Sequence, residues 1–328
     1  MTAQIANKYW IGVDLGGTCL RVVLSDAKGR LIERFNENVD VRTSNSISKQ
    51  IIRIINSICA KHKINTRKLG GIGIASAGPL IMKEGVLTHP PNLRFERIPL
   101  TEPIEAELGV AACLINDCAG AALGERKFGA AQKHDNFVYI TISTGIGGGV
   151  IENGCLLLGK DGNGHEIGHF VIDCAGRLTC GCGRRGHWEA YCSGRNMPNY
   201  VRMRVQELPH RKVNESLLSE RVGRNFEKLV ASDLFEAAKL NDGLALKLVD
   251  EIGVLNAMGF ANVMNAYDPS LITVGGSVIL KNESLVLPPI IKHADEYSIN
   301  RVPKIKVTPL GEDVVLYGAV ATAMKYLS

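Results

Sequence analysis

The sequence predicts an α/β protein of two parts, each a mixed sheet with helices on its faces. Three observations carry this. A strand–glycine turn–strand block occurs twice, as KYWIGVDLGGTCLRVVLS near the N-terminus and FVYITISTGIGGGVI from residue 137. Apolar repeats at helical spacing alternate with short apolar runs that end in glycine or a carboxylate. The chain has 328 residues, 45% of them hydrophobic and 22% charged, which is room for two domains and a sizeable core. The repetition is of architecture rather than of sequence. We place the division near residue 117, with 1–117 and 311–328 as a small N-terminal domain and 118–310 as a larger C-terminal one.

In chain order, residues 8–14 and 20–25 are β-rich runs joined by Gly16-Gly17-Thr18, which reads as a hairpin turn. A third strand is expected near 31–35, after the turn at Lys28-Gly29. Residues 46–62 repeat Ile at 47, 51, 55 and 58, the spacing of an amphipathic helix, with Ser46 as N-cap. The run GIGIASAGP (71–79) reads as a buried strand entering a loop, and 112–117 as a short strand with Asn116 and Asp117 at its carboxyl end. From 137 the strand, glycine turn, strand order returns. Helices dominate after the cysteine-rich loop. The clearest spans 242–266, capped at Asp242 and lined by Leu248, Ile252, Leu255 and Met258; its Gly253, Ala257, Gly259 and Ala261 predict close packing on another element. A strand at 271–274 leads to Gly275-Gly276, and a helix from Tyr317 to Leu327 closes the chain.

Composition excludes several classes. No apolar run reaches the roughly 18 residues of a membrane helix, and the polar start MTAQIANKYW has no signal core. Nine scattered cysteines argue for reduced thiols rather than a disulfide framework. The expected setting is therefore the cytoplasm, with no membrane partner. The net charge of +5 is dispersed, whereas nucleic-acid binding concentrates its basic residues, so no nucleic-acid partner is expected.

Five groups of residues carry chemistry. D-x-G-G-T-x-x-R (Asp14, Gly16, Gly17, Thr18, Arg21) can bring backbone N–H groups to phosphate and an acid to magnesium, although a plain hairpin turn explains it equally. STGIGGG (143–149) repeats that arrangement with hydroxyls, and two such turns together favour phosphate binding; no P-loop is present. Asp117 at a strand end can take a proton from an attacking hydroxyl, or Asn116-Asp117 can simply cap the next helix. Cys180, Cys182 and His187, with His169 upstream, form a Cys/His cluster suited to structural zinc. DPSLITVGGS (268–277) ends in glycines that let a flat base or ribose approach the backbone, or that merely turn the chain into a helix.

Together these residues resemble the ROK family (repressors, open reading frames and kinases) of the actin-like sugar kinase superfamily. The elements DLGGT, AGP, PPN, NDxxxAALGE, STGIGGG, ExGH, CGCGxxGHWE and DPxxxxxGG occur in the family's order from Ile11 to Ala323. The resemblance implies two actin-like (ribonuclease H-like) domains closing on a cleft, and an ATP-dependent sugar kinase using Mg2+ and structural Zn2+. It implies Asp117 as the base for the sugar 6-hydroxyl. Asn92, Asn116, Glu166, His169 and Glu189 would be ligands of the other hydroxyls. Asp14, Gly16, Gly17 and Thr18 would face the transferred phosphate and magnesium, Thr144 and Gly145 the ATP phosphates, and Gly275 and Gly276 the adenosine. Zinc would be held by His169, Cys180, Cys182 and His187, with the other ring nitrogen of His169 left for the sugar. The family usually has a third cysteine at the place of His187; were His187 turned away, Cys174 or Cys192 would have to replace it. Glucose is the first expected substrate, with N-acetylmannosamine the alternative and fructose third. Homodimers or homotetramers are expected from the family. Its sugar-responsive repressors carry a helix-turn-helix region before D-x-G-G-T, where this chain has only a short stretch. A filament-forming actin-like protein would have no use for the sugar carboxylates.

Overall fold

In the computed structural model, which describes residues 8–90 and 92–327, the leading β-rich runs become β1 (Tyr9–Leu15) and β2 (Cys19–Ser25), paired antiparallel with Asp14 opposite Arg21. β3 (Leu31–Asn38) continues the meander, its side chains alternating between half-buried and exposed as an edge strand's do. Helix α1 (Ser44–Lys61) buries Ile47, Ile51, Ile54, Ile55 and Ile58, as the periodicity requires. Its N-cap is Thr43 rather than Ser46: the Thr43 hydroxyl accepts the Ser46 N–H, so Ser46 is already inside the first turn. β4 (Leu69–Ser76) runs parallel to β1 and is buried along nearly its whole length, which is why its sequence is continuously apolar. A small antiparallel sheet of β5 (Leu80–Ile81), β6 (Val86–Thr88) and β7 (Arg97–Pro99) follows; strands this short carry no readable alternation. Then come α2 (Thr101–Leu108), β8 (Ala112–Asn116) and α3 (Asp117–Phe128), giving the first large sheet the order β3-β2-β1-β4-β8.

The second large sheet is built from β9 (Phe137–Ile142), β10 (Ile146–Glu152) and the short β11 (Cys155–Leu156). Helices α4 (Glu189–Cys192), α5 (Met197–Gln206), α6 (His210–Asn214), α7 (Leu217–Val222), α8 (Ala231–Lys239) and α9 (Gly243–Tyr267) follow the cysteine-rich loop. Asp242 caps α9 as expected, accepting the Ala245 N–H at 2.8 Å. β12 (Leu271–Gly275) enters the sheet parallel to β9, α10 (Ser277–Ala294) leaves it, and β13 (Lys304–Val307) completes the order β11-β10-β9-β12-β13. The chain ends in α11 (Val314–Tyr326), which starts before the expected Tyr317.

By mutual contact the chain forms two units. One runs to Asp135 and includes Gly149–His165 and the residues from Thr308 on; the other is Asn136–Gly148 with Glu166–Val307. The division expected near 117 would part β8 from α3, but α3 stays in the first unit. Gly120 and Gly124 lie so close to Gly318 of α11 that a Cβ on Gly318 would fall 2.3 Å from the Gly120 carbonyl. The first unit's core is aliphatic, with Ile11, Val13, Leu20, Ile51, Ile72 and Ile74 wholly buried. The second unit buries larger rings, among them Phe137, Tyr139, Trp188 and Phe260. No helix among the described residues is long and apolar enough to cross a membrane.

Candidate active site

In the first unit the hairpin turn after β1 holds Gly16, Gly17 and Thr18. Gly16 donates its N–H to the Cys19 carbonyl at 3.0 Å and Thr18 accepts from Val39 at 2.9 Å. Among the described residues no acceptor takes the N–H of Gly17 or Thr18. Asp14 is paired with Arg21 across the hairpin, the guanidinium Nε donating to Oδ2 at 2.8 Å while Nη1 reaches the Glu312 carbonyl at 2.9 Å. Burial raises the Asp14 carboxyl above its ordinary value and Arg21 pulls it back only in part. Nε and Nη2 of Arg21 both donate to Oδ2, so Oδ1 is the oxygen left for a hydrated cation.

Asn116 and Asp117 sit where β8 becomes α3. Asn116 is the N-cap: its Oδ1 accepts from Cys118 at 2.9 Å and Ala119 at 3.1 Å. The bland reading of this pair is therefore correct as far as it goes, but it commits only the amide oxygen and leaves Nδ2 to donate. Asp117 is the first residue of α3, where the helix dipole favours a negative charge, and its Oδ1 accepts the Cys118 N–H at 2.8 Å. Asn92 lies against the glycine turn: a Cβ on Gly17 would fall 2.5 Å from Asn92 Cβ. Pro91 of the PPN element lies outside the described residues.

In the second unit the cysteine-rich loop folds as a knuckle. Thr179 bridges Arg185, Val171 bridges His187, and Gly183 (φ +83°) and Gly186 (φ +75°) take left-handed conformations at its bends. This brings one ligand atom each of His169, Cys180, Cys182 and His187 within 4.8 Å of one another. Cys182 Sγ and His187 Nδ1 are 3.3 Å apart, close to the edge of a tetrahedron with zinc-to-ligand distances of about 2.0–2.3 Å. Two thiols and two imidazoles are a fitting donor set for zinc. His187 thus faces the cluster, while Cys174 is exposed and Cys192 is buried with its thiol directed at the Ile252 carbonyl, 3.8 Å away. Burial pushes the Cys180 thiol up to about 12, so a cation beside it is what would make it a thiolate.

The two acids expected beside the metal are both there. Glu166 Oε2 is 3.3 Å from His169 Nδ1, and this carboxylate raises the imidazole above its ordinary value. Glu189, first residue of α4, lies with Oε1 3.5 Å from Cys180 Sγ and with Oε2 accepting the Ile146 N–H at 2.9 Å. A Cβ on Gly145 would fall 2.5 Å from that same Oε2. Thr144 and Gly145 form the second glycine turn, and their N–H groups, like those of Gly17 and Thr18, have no acceptor among the described residues. Gly275 ends β12 and Gly276 (φ +89°) is the N-cap residue of α10, with Ile142 O only 2.5 Å from where a Cβ would be on Gly276.

Beside these glycines lies a pocket of about 460 Å³ lined by Ser143, Thr144, Arg195, Phe235, Lys281 and Asn282, among others. Sequence reasoning found Ser143 and Thr144 at its rim and missed Arg195, Phe235, Lys281 and Asn282. Arg195, Phe235 and Lys281 stand on separate helices or loops with no motif of their own; only the closeness of Lys281 to Gly275-Gly276, one helical turn on, could have pointed to it.

The fold and these groups are those of a known family: the chain belongs to the ROK family, whose model matches residues 10–325. Among its relatives, a glucokinase of Pyrobaculum calidifontis is 34% identical over 96% of this chain and 95% of that relative. A crystal structure of a ROK family glucokinase from Streptomyces griseus, in complex with glucose and AMPPNP, is 30% identical with a TM-score of 0.78, covering 97% of this chain and 99% of that one. A ROK hexokinase from Thermus thermophilus is 27% identical with a TM-score of 0.81, covering 97% and 98%. The actin-like α/β fold expected from the resemblance is the fold observed.

Proposed function

We propose that the chain is an ATP-dependent glucokinase that transfers the γ-phosphoryl group to the sugar 6-hydroxyl. One observation carries this reading. Glu166, His169 and Glu189 converge on one Cys/His knuckle, in the unit whose glycine turn leaves two N–H donors unpaired. Acids and an imidazole are ligands for sugar hydroxyls, and free amides are ligands for phosphate. The glucokinases of P. calidifontis and S. griseus support glucose as the sugar.

Phosphoryl transfer asks chiefly for position and charge neutralisation. Asp117 accepts the proton of the 6-hydroxyl as that oxygen attacks phosphorus, a contribution of roughly 10²–10⁴-fold. Its place in the first turn of α3 sets the carboxyl group where the helix dipole favours negative charge. Asn116 donates through Nδ2, and Asn92, Glu166, His169 and Glu189 hold the remaining hydroxyls. Gly17, Thr18, Thr144 and Gly145 present N–H groups to the ATP phosphates. Asp14 offers Oδ1 to magnesium, which when bound neutralises phosphate charge. Gly275 and Gly276 admit the adenosine. Zinc would be held by His169, Cys180, Cys182 and His187, and with four protein ligands it would supply rigidity rather than reactivity.

The test is ADP release across glucose, mannose, N-acetylmannosamine, N-acetylglucosamine and fructose, with glucose expected to give the highest kcat/KM. Asp117→Asn is expected to lower kcat at least about 10²-fold while glucose binding stays measurable. ADP release that ignores the sugar, or an Asp117→Asn enzyme near wild-type turnover, contradicts the reading.

A further inference from the structure

The turn at 143–146 is held through its backbone groups, apart from a 3.0 Å hydrogen bond between the Ser143 and Ser277 hydroxyls. Ser143 O accepts from Gly194 N at 2.7 Å, Thr144 O accepts from Arg195 N at 3.2 Å, and Ile146 N donates to Glu189 Oε2 at 2.9 Å. All three partners belong to residues 189–195, the segment that leaves the Cys/His knuckle directly after His187. Within the turn, Ser143 N donates to Gly145 O at 2.9 Å. Once these bonds are counted, the N–H groups of Thr144 and Gly145 are what the turn has left to offer. Two of the three clasping bonds are backbone to backbone and indifferent to side-chain identity. The third depends wholly on Glu189.

A carboxylate is an odd neighbour for a turn that receives phosphate, because like charges repel. Yet Gly145 lacks a Cβ where Glu189 Oε2 approaches, so the close packing has been accommodated rather than avoided. The same acid lies 3.5 Å from Cys180 Sγ through its other oxygen. One oxygen is thus turned to the knuckle, and the other to the nucleotide turn.

We infer that Glu189 is a positioning residue for the nucleotide as well as a ligand of the hexose, its Oε2 holding the 143–146 turn in the form that receives phosphate. The inference rests on the proposal that Thr144 and Gly145 bind ATP phosphates, and it goes beyond that proposal by tying the nucleotide turn to the metal knuckle through one side chain. The hexose then has only Oε1 to use.

The experiment measures the Kd of AMPPNP without sugar for wild type, Glu189→Ala and Glu189→Gln, together with zinc content and glucose affinity. Glu189→Ala removes the bond to Ile146 and is expected to weaken AMPPNP about tenfold, the range for one hydrogen bond to a charged group. Glu189→Gln keeps an acceptor for the Ile146 N–H and drops the charge, so AMPPNP is expected to bind as tightly as to wild type or tighter. The same variant is expected to lose glucose affinity at least tenfold. Wild-type AMPPNP affinity in Glu189→Ala overturns the inference. So does equal weakening in both variants accompanied by zinc loss, which would mark a collapsed loop rather than a lost strut. Should Glu189→Ala not fold, Glu189→Asp keeps the charge but shortens the reach by one methylene, and is expected to weaken AMPPNP; unchanged binding there overturns the inference equally. Failure of wild type itself to bind AMPPNP would sink the kinase reading instead.

Discussion

Gly17 and Gly145 were legible in the sequence as residues that let phosphate approach the backbone. The structure gives each a second reason to lack a side chain, since Asn92 packs on Gly17 and Glu189 on Gly145 at 2.5 Å from where a Cβ would sit. No sequence pattern could show this, because the partners lie far along the chain and the contacts are tertiary. Gly17 has no positive φ, so an alanine there meets only the crowding. Gly17→Ala is therefore expected to push Asn92 aside and lower kcat/KM for glucose about ten- to a hundredfold, as misplacement near 1 Å can. Stability should change by no more than ~1 kcal/mol, because Gly17 is only half-buried and the exposed Asn92 can yield. Steady-state kinetics with a thermal melt checks both; unchanged kinetics would remove Asn92 from the hexose ligands. Asn116 makes a related point. Its sequence allowed either a helix cap or a ligand, and the structure assigns its oxygen to the cap while its amide nitrogen remains for a ligand.

Among the elements, the Cys/His knuckle is the one most fully readable in advance. All four expected ligands meet, because the short Cys180–His187 spacing and the glycine bends leave few ways to close the loop. What the sequence did not show is how the knuckle is fastened. Tyr191 donates to Asp173 Oδ2 at 2.5 Å and accepts the Leu178 N–H at 3.0 Å. Partial burial pulls Asp173 upward, but hydrogen bonds from Tyr191 and Arg177 outweigh it and hold the carboxyl at about 2. This fastening is present above the ordinary carboxylate value of 3.8 and is lost as pH falls through about 2. Trp188 anchors the other side, its Nε1 donating to Asn256 at 2.8 Å and its ring resting where Gly259 has no Cβ. The small residues of α9 predicted close packing, and Trp188 is one of the neighbours they admit, with Pro289 over Gly253 another. Stripping zinc with a chelator should therefore loosen the knuckle before the helices beneath it. Metal-free protein is expected to melt at least ~5 °C lower and to exchange amide hydrogens faster over 169–189, with weaker glucose binding. Identical exchange in protein shown to be metal-free would mean the cluster holds no structural ion.

At the scale of the whole molecule, the major strands and the capped helix α9 were legible because their apolar periods are long. The β5–β7 sheet was not, and α10 was not, since Pro288, Pro289 and the kink at Asn282 (φ −142°, ψ 32°) interrupt its pattern. The contribution of α11 was visible only as a closing helix, whereas the structure makes it a central part of the first unit. It lies directly on the sheet: a Cβ on Gly73 of β4 would fall 1.9 Å from the Ala319 carbonyl, and one on Gly12 of β1 would fall 2.8 Å from Val320. Leu316, Val320, Ala323 and Met324 pack with Trp10 and Val23. Burying the Leu, Val and Met side chains is worth ~1.5–3 kcal/mol each, a sum that rivals the ~5–15 kcal/mol net stability of a domain. The first unit's opening strands therefore depend on a helix far along the chain from them. A chain ending at Leu310 is expected to lose the cooperative unfolding of this unit, seen as β1 and β4 amides that exchange without protection. A truncated chain whose β1 and β4 amides kept wild-type protection would show that the sheet holds its glycine face without the helix.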